Sequence, residues 1–112
     1  FEPSGKLHLA QGIMRAINVN KMLKAGCHFK MWVADWFGWM NNKMGGDLEK
    51  IRAVGEYQIE VWKACGMNTE GVDFLWAKDV MADDEYWKKV ILIANKIGNI
   101  KHNIKRNSYE HL

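Results

Sequence analysis

Proline occurs once in this sequence of 112 residues, at Pro3, and cysteine twice, at Cys27 and Cys65. With no Pro-rich or Ser-rich linker, no internal repeat and no low-complexity segment, nothing marks a boundary, and one domain is expected. Two cysteines far apart and outside any CxxC pair exclude a disulfide framework and a structural zinc site; both are expected to be buried, reduced thiols. His8, His28, His102 and His111 show neither HxxxH nor HExxH spacing, so no metal site is expected. No apolar run approaches the roughly 20 residues of a membrane span, and none has the form of a secretory leader. A cytoplasmic protein without a membrane partner is the expectation. Also missing are a GxxxxGK[ST] loop, a GxGxxG fingerprint and any Ser or Cys that the sequence ties to a His and an acid, which removes the common phosphate-loop and nucleophile signatures.

What is present suits a packed core. Apolar residues make up 48% of the chain and charged residues 26%, a balance that excludes whole-chain disorder. A chain of this size buries roughly two-thirds of its unfolded surface, so the six Trp, four Phe and seven Met are expected mostly in the core. The net charge of +3 is unevenly placed. Acidic and basic residues balance over residues 1–95, whereas residues 96–112 carry Lys96, Lys101, Lys105 and Arg106 against Glu110. A short basic terminus of this kind is ordinarily solvated and only occasionally meets a phosphate backbone. The chain begins at Phe1 without an initiator Met, and it is expected to be a piece of something longer.

Helical and strand-like patterns alternate. Ala10 to Ala25 predicts a helix with Ile13, Ala16, Ile17 and Leu23 on its apolar face and Gly26 as its stop. His28 to Asp35 is nearly uninterrupted in apolar residues and predicts a strand buried on both faces, hence a parallel sheet. Trp36 to Gly46 reads as a short helix or loop leaving the strand end, where open α/β sheets carry function. Asp47 is placed to cap a long helix whose Leu48, Ile51, Val54, Ile59, Trp62 and Cys65 share one face, with Gly66 beyond its end. Val72 to Ala77 predicts a second strand. Asp83, Asp84 and Glu85 open a last helix with Tyr86, Val90, Ile93 and Ile97 as its stripe. This order implies βαβ units with a first strand missing, Phe1 being the last residue of that strand.

The turn from Glu2 to Gly12 would then face the carboxyl ends of the sheet. Pro3 and Gly5 shape it, Ser4 offers a hydroxyl, and His8 and Gln11 share a side of the first helical turn. A helix N-terminus with such donors favours a polyphosphate, and small Ala10 leaves room for a flat base. On the residues alone a second reading stands beside this one: His8 caps or packs at the helix start and Gln11 is simply exposed.

The opening FEPSGKLHLAQG resembles the HIGH signature of class I aminoacyl-tRNA synthetases, in the form preceded by the turn that marks the tyrosyl enzymes. ADWFGWMNNKMGGDLEKIRAVGEY, WKACGM and VDFLWA follow in order and are similar to the tyrosyl enzymes of plants and protozoa, so the resemblance spans residues 1 to about 94. It implies an α/β fold, a partial Rossmann-like parallel sheet with flanking helices whose first strand and later parts are missing, within a catalytic domain. It further implies ATP, with Mg²⁺, as substrate, tyrosine as the amino acid, tRNA(Tyr) met mostly through parts outside this chain, and a homodimer or pseudo-dimer as the full-length protein.

By the same resemblance His8 and Ser4 would meet ATP phosphate, and Ala10 would lie against adenine. Gln11 stands where the signature has its second histidine, so that contact departs from the pattern. Glu2 matches the acidic residue near the amino group of tyrosine, and Trp32, Ala34 and Phe37 match walls of the amino-acid pocket. Asp35 reads as a helix-capping or loop-organising carboxylate. The second ATP signature, KMSKS, and an anticodon-binding domain are not found in the chain. Two other functions stay open at this point: a noncatalytic α/β module that needs the rest of its protein, and a tryptophanyl-type or other HIGH-motif nucleotidyl transferase.

Overall fold

The structure, a computed structural model, describes residues 1–109, with side chains described as far as Gly98. The chain packs as two compact units, one from Phe1 to Asp79 and one beginning at Val80.

The first unit is built on two parallel strands, β1 (Phe29–Val33) and β2 (Val72–Trp76), with Phe29 opposite Val72 and Val33 opposite Trp76. Phe1 extends this pairing. Its nitrogen donates to the carbonyl of Trp32 and its carbonyl accepts from the Ala34 amide at 2.8 Å, the slanted pattern of a parallel neighbour opposite Val33.

β1 is shorter and less covered than its composition suggests. Met31 and Val33 are buried, whereas Lys30 is exposed and Trp32 only half-buried, so a single face is covered within the unit. Ala34 leaves the extended region, and Asp35 already begins helix α2 (Asp35–Met40).

The helix after the opening turn starts with a wide π-type turn over Ala10–Met14 and continues as α1 (Arg15–Lys24). The buried face is Gly12, Ala16 and Val19, at ordinary helical spacing, while Ile13 and Ile17, expected inside, are exposed. Small Gly12 and Ala16 allow close approach to the long helix α3 (Leu48–Ala64): a Cβ at Gly12 would lie 3.5 Å from Cys65 Sγ. α3 begins as its sequence indicates, with Asp47 Oδ1 accepting from the Glu49 and Lys50 amides at 3.1 Å each. It ends at Gly66, whose φ of +86° suits the left-handed closing position; the Met67 amide returns to the Trp62 carbonyl at 3.0 Å.

Ile51, Gly55, Gln58 and Trp62 are the buried residues of α3, with Trp62 fully enclosed beside Ala16, Val19, Met31, Met67 and Val72. The aromatic content is not mostly core. α2 has six residues and turns Asp35 and Gly38 inward, which leaves Trp36, Phe37 and Trp39 exposed. Cys27 is also exposed, just past the end of α1, and Cys65 is half-buried; both are free thiols.

The short helix α4 (Ala77–Met81) carries the chain into the second unit, which is dominated by α5 (Asp84–Tyr109). Asp83 Oδ1 accepts from the Glu85 amide at 3.0 Å, and Trp87 Nε1 donates to the Met81 carbonyl at 2.7 Å. Of the expected stripe, Tyr86 is half-buried while Val90, Ile93 and Ile97 are exposed. Among the described residues of its own unit nothing covers that face. The side chains of Lys101, Lys105 and Arg106, which carry the basic C-terminal stretch, lie outside the described residues.

Candidate functional site

The turn after Phe1 threads between α2 and α3 where each helix has a glycine. A Cβ at Gly38 would come within 3.4 Å of Glu2 Cγ, and one at Gly55 within 3.3 Å of Pro3 Cγ and 2.9 Å of Trp76 Cη2. Pro3 is buried in this position. Beyond it two side chains of α3 hold the backbone. Gln58 Nε2 donates to the Gly5 carbonyl at 2.7 Å, and Trp62 Nε1 donates to the Gln11 carbonyl at 2.9 Å. Both donors are themselves buried, and a buried donor without an acceptor is costly, so these bonds fix the path of the turn strongly.

With its backbone tied inward, the turn presents its side chains outward. Ser4, His8, Ala10 and Gln11 are all exposed. The His8 side chain does not pack among apolar neighbours at the helix start. Gln11 bends back over the first turn, its Oε1 accepting from the His8 amide at 3.4 Å. Ala10, Gln11 and Trp32 line a cavity of about 630 Å³ between α1 and β1, with Phe1 and Arg15 at the same walls. The Arg15 guanidinium lies over the Trp62 ring, 5.2 Å from its centroid, and Phe1 meets the same ring edge-on at 4.7 Å.

Glu2 is held elsewhere on the turn. Asn41 Nδ2 donates to its Oε2 at 2.8 Å, and Lys43 Nζ stands 3.7 Å from its Oε1. Ala34 is half-buried, its amide bonded to Phe1, and Phe37 is exposed on α2. The structure thus groups Ala10, Gln11 and Trp32 around one cavity. Ser4 and His8 sit on the outer side of the turn, and Glu2 lies against the segment that follows α2.

Asp35 is fully buried and serves as a tie. Its Oδ1 accepts from the Lys78 amide at 3.3 Å, near the start of α4, and its Oδ2 lies 3.4 Å from Arg52 Nε on α3. The carboxylate therefore organises three helices and caps α4 rather than its own helix. The carboxyl of Asp47 is held below its ordinary value, first by the Lys50 backbone amide, then by the Lys50 side chain, with the Glu49 amide adding to them.

Gln58, Trp62 and Asn41 act on the site without standing in its motif. Gln58 left a signal, a polar residue inside the apolar stripe of α3 one turn before Trp62; Asn41 left none, since it resembles any loop amide.

Residues 1–108 match the family described as tRNA synthetases class I (W and Y). The sequence is 56% identical over 105 residues to tyrosine–tRNA ligase 2, cytoplasmic, of Arabidopsis thaliana, covering 90% of this chain and 14% of that one. It is 58% identical over 98 residues to tyrosine–tRNA ligase 1, cytoplasmic, of the same plant, covering 86% and 26%. Among solved structures, the tyrosyl-tRNA synthetase of Leishmania major in complex with tyrosinol is similar with a TM-score of 0.73 and 60% identity, covering 78% of this chain and 13% of that one. The tyrosyl-tRNA synthetase of Aeropyrum pernix gives a TM-score of 0.78 at 33% identity, covering 86% and 29%. The chain spans only a fraction of the length of each of these relatives.

Proposed function

The chain belongs to the class I tRNA synthetases of the W and Y group, and from that premise we propose that it is part of the catalytic, Rossmann-like domain of a tyrosine–tRNA ligase, an enzyme of protein biosynthesis. One observation carries this reading. A turn with outward hydrogen-bond donors, Ser4 and His8, has its backbone pinned by buried donors on α3, which is how a site prepares for charge that appears only during reaction. The choice of tyrosine over tryptophan is supported by the 56% and 58% identity to tyrosine-specific relatives. Those relatives are named cytoplasmic, and among the described residues no helix is long and apolar enough to cross a membrane. A cytoplasmic enzyme, homodimeric or pseudo-dimeric at full length, is the corresponding proposal.

In the proposed reaction a tyrosine carboxylate oxygen attacks the α-phosphorus of ATP. A P–O bond forms, the bond to the β,γ-phosphates breaks, and tyrosyl-adenylate and pyrophosphate result. A ribose hydroxyl of tRNA(Tyr) then attacks the tyrosyl carbonyl and AMP leaves. No side chain becomes covalently attached. His8 and Ser4 donate to phosphate oxygens that gain charge as pyrophosphate departs, Gln11 offers its amide beside them, and Ala10 leaves space for adenine. The contact of Gln11 with the His8 amide, weak at 3.4 Å, engages Oε1 and not the Nε2 donor that would face phosphate. Glu2 would receive the tyrosine ammonium, and Trp32, Ala34 and Phe37 would wall the side-chain pocket.

Mg²⁺ has no cage of three or more His, Cys, Asp or Glu side chains among the described residues. A magnesium ion in such reactions is bound largely by the nucleotide's own phosphates and water, so no step here passes through it.

The test is ATP–pyrophosphate exchange by the full-length protein. Exchange that depends on tyrosine, and is not driven by tryptophan or phenylalanine, supports the reading; exchange driven by tryptophan, or none, overturns it.

A further inference from the structure

The segment after α2 is unusual in its backbone. Asn42 and Met44 are both left-handed, with φ of 53° and 51°, and Gly45 and Gly46 follow at 71° and 74°. Left-handed geometry is tolerable for Asn and unfavourable for Met, and such conformations persist only where surrounding contacts impose them. Asn41 and Lys43, which flank Asn42, both reach back to one carboxylate. Asn41 Nδ2 holds Glu2 Oε2 at 2.8 Å, and Lys43 Nζ lies 3.7 Å from Oε1. Gly38 completes the arrangement, because a Cβ there would press on Glu2 Cγ at 3.4 Å. One side chain is thus directed at three points by residues 38–43.

We infer that Asn41 is a positioning residue that sets the Glu2 carboxylate to receive the ammonium group of the amino-acid substrate. This rests on the reading of the chain as part of a tyrosine-activating enzyme. The hydrogen bond to Asn41 occupies one lone pair of Oε2 and fixes the plane of the carboxylate. The remaining lone pairs are left for an incoming cation. Lys43 is too far for a hydrogen bond, and its charge lies on the side of Oε1, where the carboxylate already faces a cation.

The experiment uses the full-length protein, with Asn41→Ala, Lys43→Met, Glu2→Gln and the double variant Asn41→Ala/Glu2→Gln. The expected result for Asn41→Ala is a tyrosine KM raised about tenfold, the ATP KM unchanged, and kcat altered less than about twofold, because the lost contact acts on bound substrate and transition state alike. Lys43→Met removes a like charge from beside the incoming ammonium and is expected not to raise the tyrosine KM. Two readouts exclude a merely structural effect. The inhibition constant of 3-(4-hydroxyphenyl)propanoate, which lacks the ammonium, stays unchanged in Asn41→Ala, and in the Glu2→Gln background the Asn41 effect disappears. An unchanged tyrosine KM in Asn41→Ala, or an equal loss for the analogue lacking the ammonium, overturns the inference. Absence of tyrosine-dependent exchange in the unsubstituted protein overturns the functional reading instead. The ¹⁵N-labelled side-chain amide of Asn41 then decides the contact alone, and a signal unmoved by Glu2→Gln overturns it.

Discussion

Trp62 Nε1 and the Gln11 carbonyl, 51 residues apart in the chain, are joined at 2.9 Å, so the most enclosed aromatic residue of the core is also a tether of the candidate site. Replacing Trp62 by Phe keeps a ring near Phe1 and Arg15 and removes the donor. The Gln11 carbonyl then loses its partner, at a cost of about 1–3 kcal/mol. Trp62→Ala adds a cavity and is expected to cost about 3–5 kcal/mol. Denaturant unfolding of the two variants checks the order, and a Trp62→Phe variant as stable as the unsubstituted protein would mean that the hydrogen bond contributes nothing.

Two of the helical glycines, 55 and 98, should respond in opposite directions to alanine. At Gly55 the new Cβ would stand 2.9 Å from the Trp76 ring and 3.3 Å from Pro3, a clash with two rings of little freedom. Overpacking costs about 1–3 kcal/mol and outweighs the roughly 1 kcal/mol that alanine gains in a helix. At Gly98 nothing lies within 4 Å among the described residues, so only the gain remains. Gly55→Ala is expected to lower the unfolding midpoint and Gly98→Ala to raise it.

The contrast between α1 and α3 shows what a sequence can and cannot reveal here. Asp47, Gly26 and Gly66 were readable as helix ends because a cap is a local arrangement of a few residues. The buried face of α1 was not, since Gly12, Ala16 and Val19 lie inward in place of Ile13 and Ile17, and helical spacing does not say which of two adjacent faces turns to the core. β1 was read as covered on both faces because apolar runs carry no record of what packs on them. Within the site, the motif singled out Ser4, His8 and Gln11, whose exposure agrees with a ligand-facing turn. The residues that hold that turn, Gln58, Trp62 and Asn41, act across 53, 51 and 39 positions, and no local pattern records such pairings.

Asp47 gives the fold a dependence on acid. Its folded pKa lies below the ordinary carboxylate value because the Lys50 amide, the Lys50 side chain and the Glu49 amide favour the charged form. The stabilisation it provides is therefore complete above about pH 4, the range of an unfolded aspartate, and is lost as pH falls through the lower folded value. Melting temperatures recorded from pH 6 down to pH 2 are expected to fall less steeply for Asp47→Asn than for the unsubstituted protein. Parallel curves would assign the acid sensitivity to other carboxylates.

His8 offers the sharpest test of the chemistry, because its side chain is exposed and has no partner among the described residues, so its removal should leave the fold intact. If its imidazole donates to the departing pyrophosphate, that contact strengthens only as charge develops. His8→Ala in the full-length protein should then lower kcat for tyrosine-dependent exchange by about 10²–10³-fold, with the tyrosine KM nearly unchanged. His8→Asn retains an amide donor at similar reach and should recover part of the loss. If His8 instead holds ATP equally in ground and transition states, the ATP KM rises and kcat stays at the parental value. A parental rate with parental KM values would leave His8 a solvated surface residue and remove the role assigned to the turn.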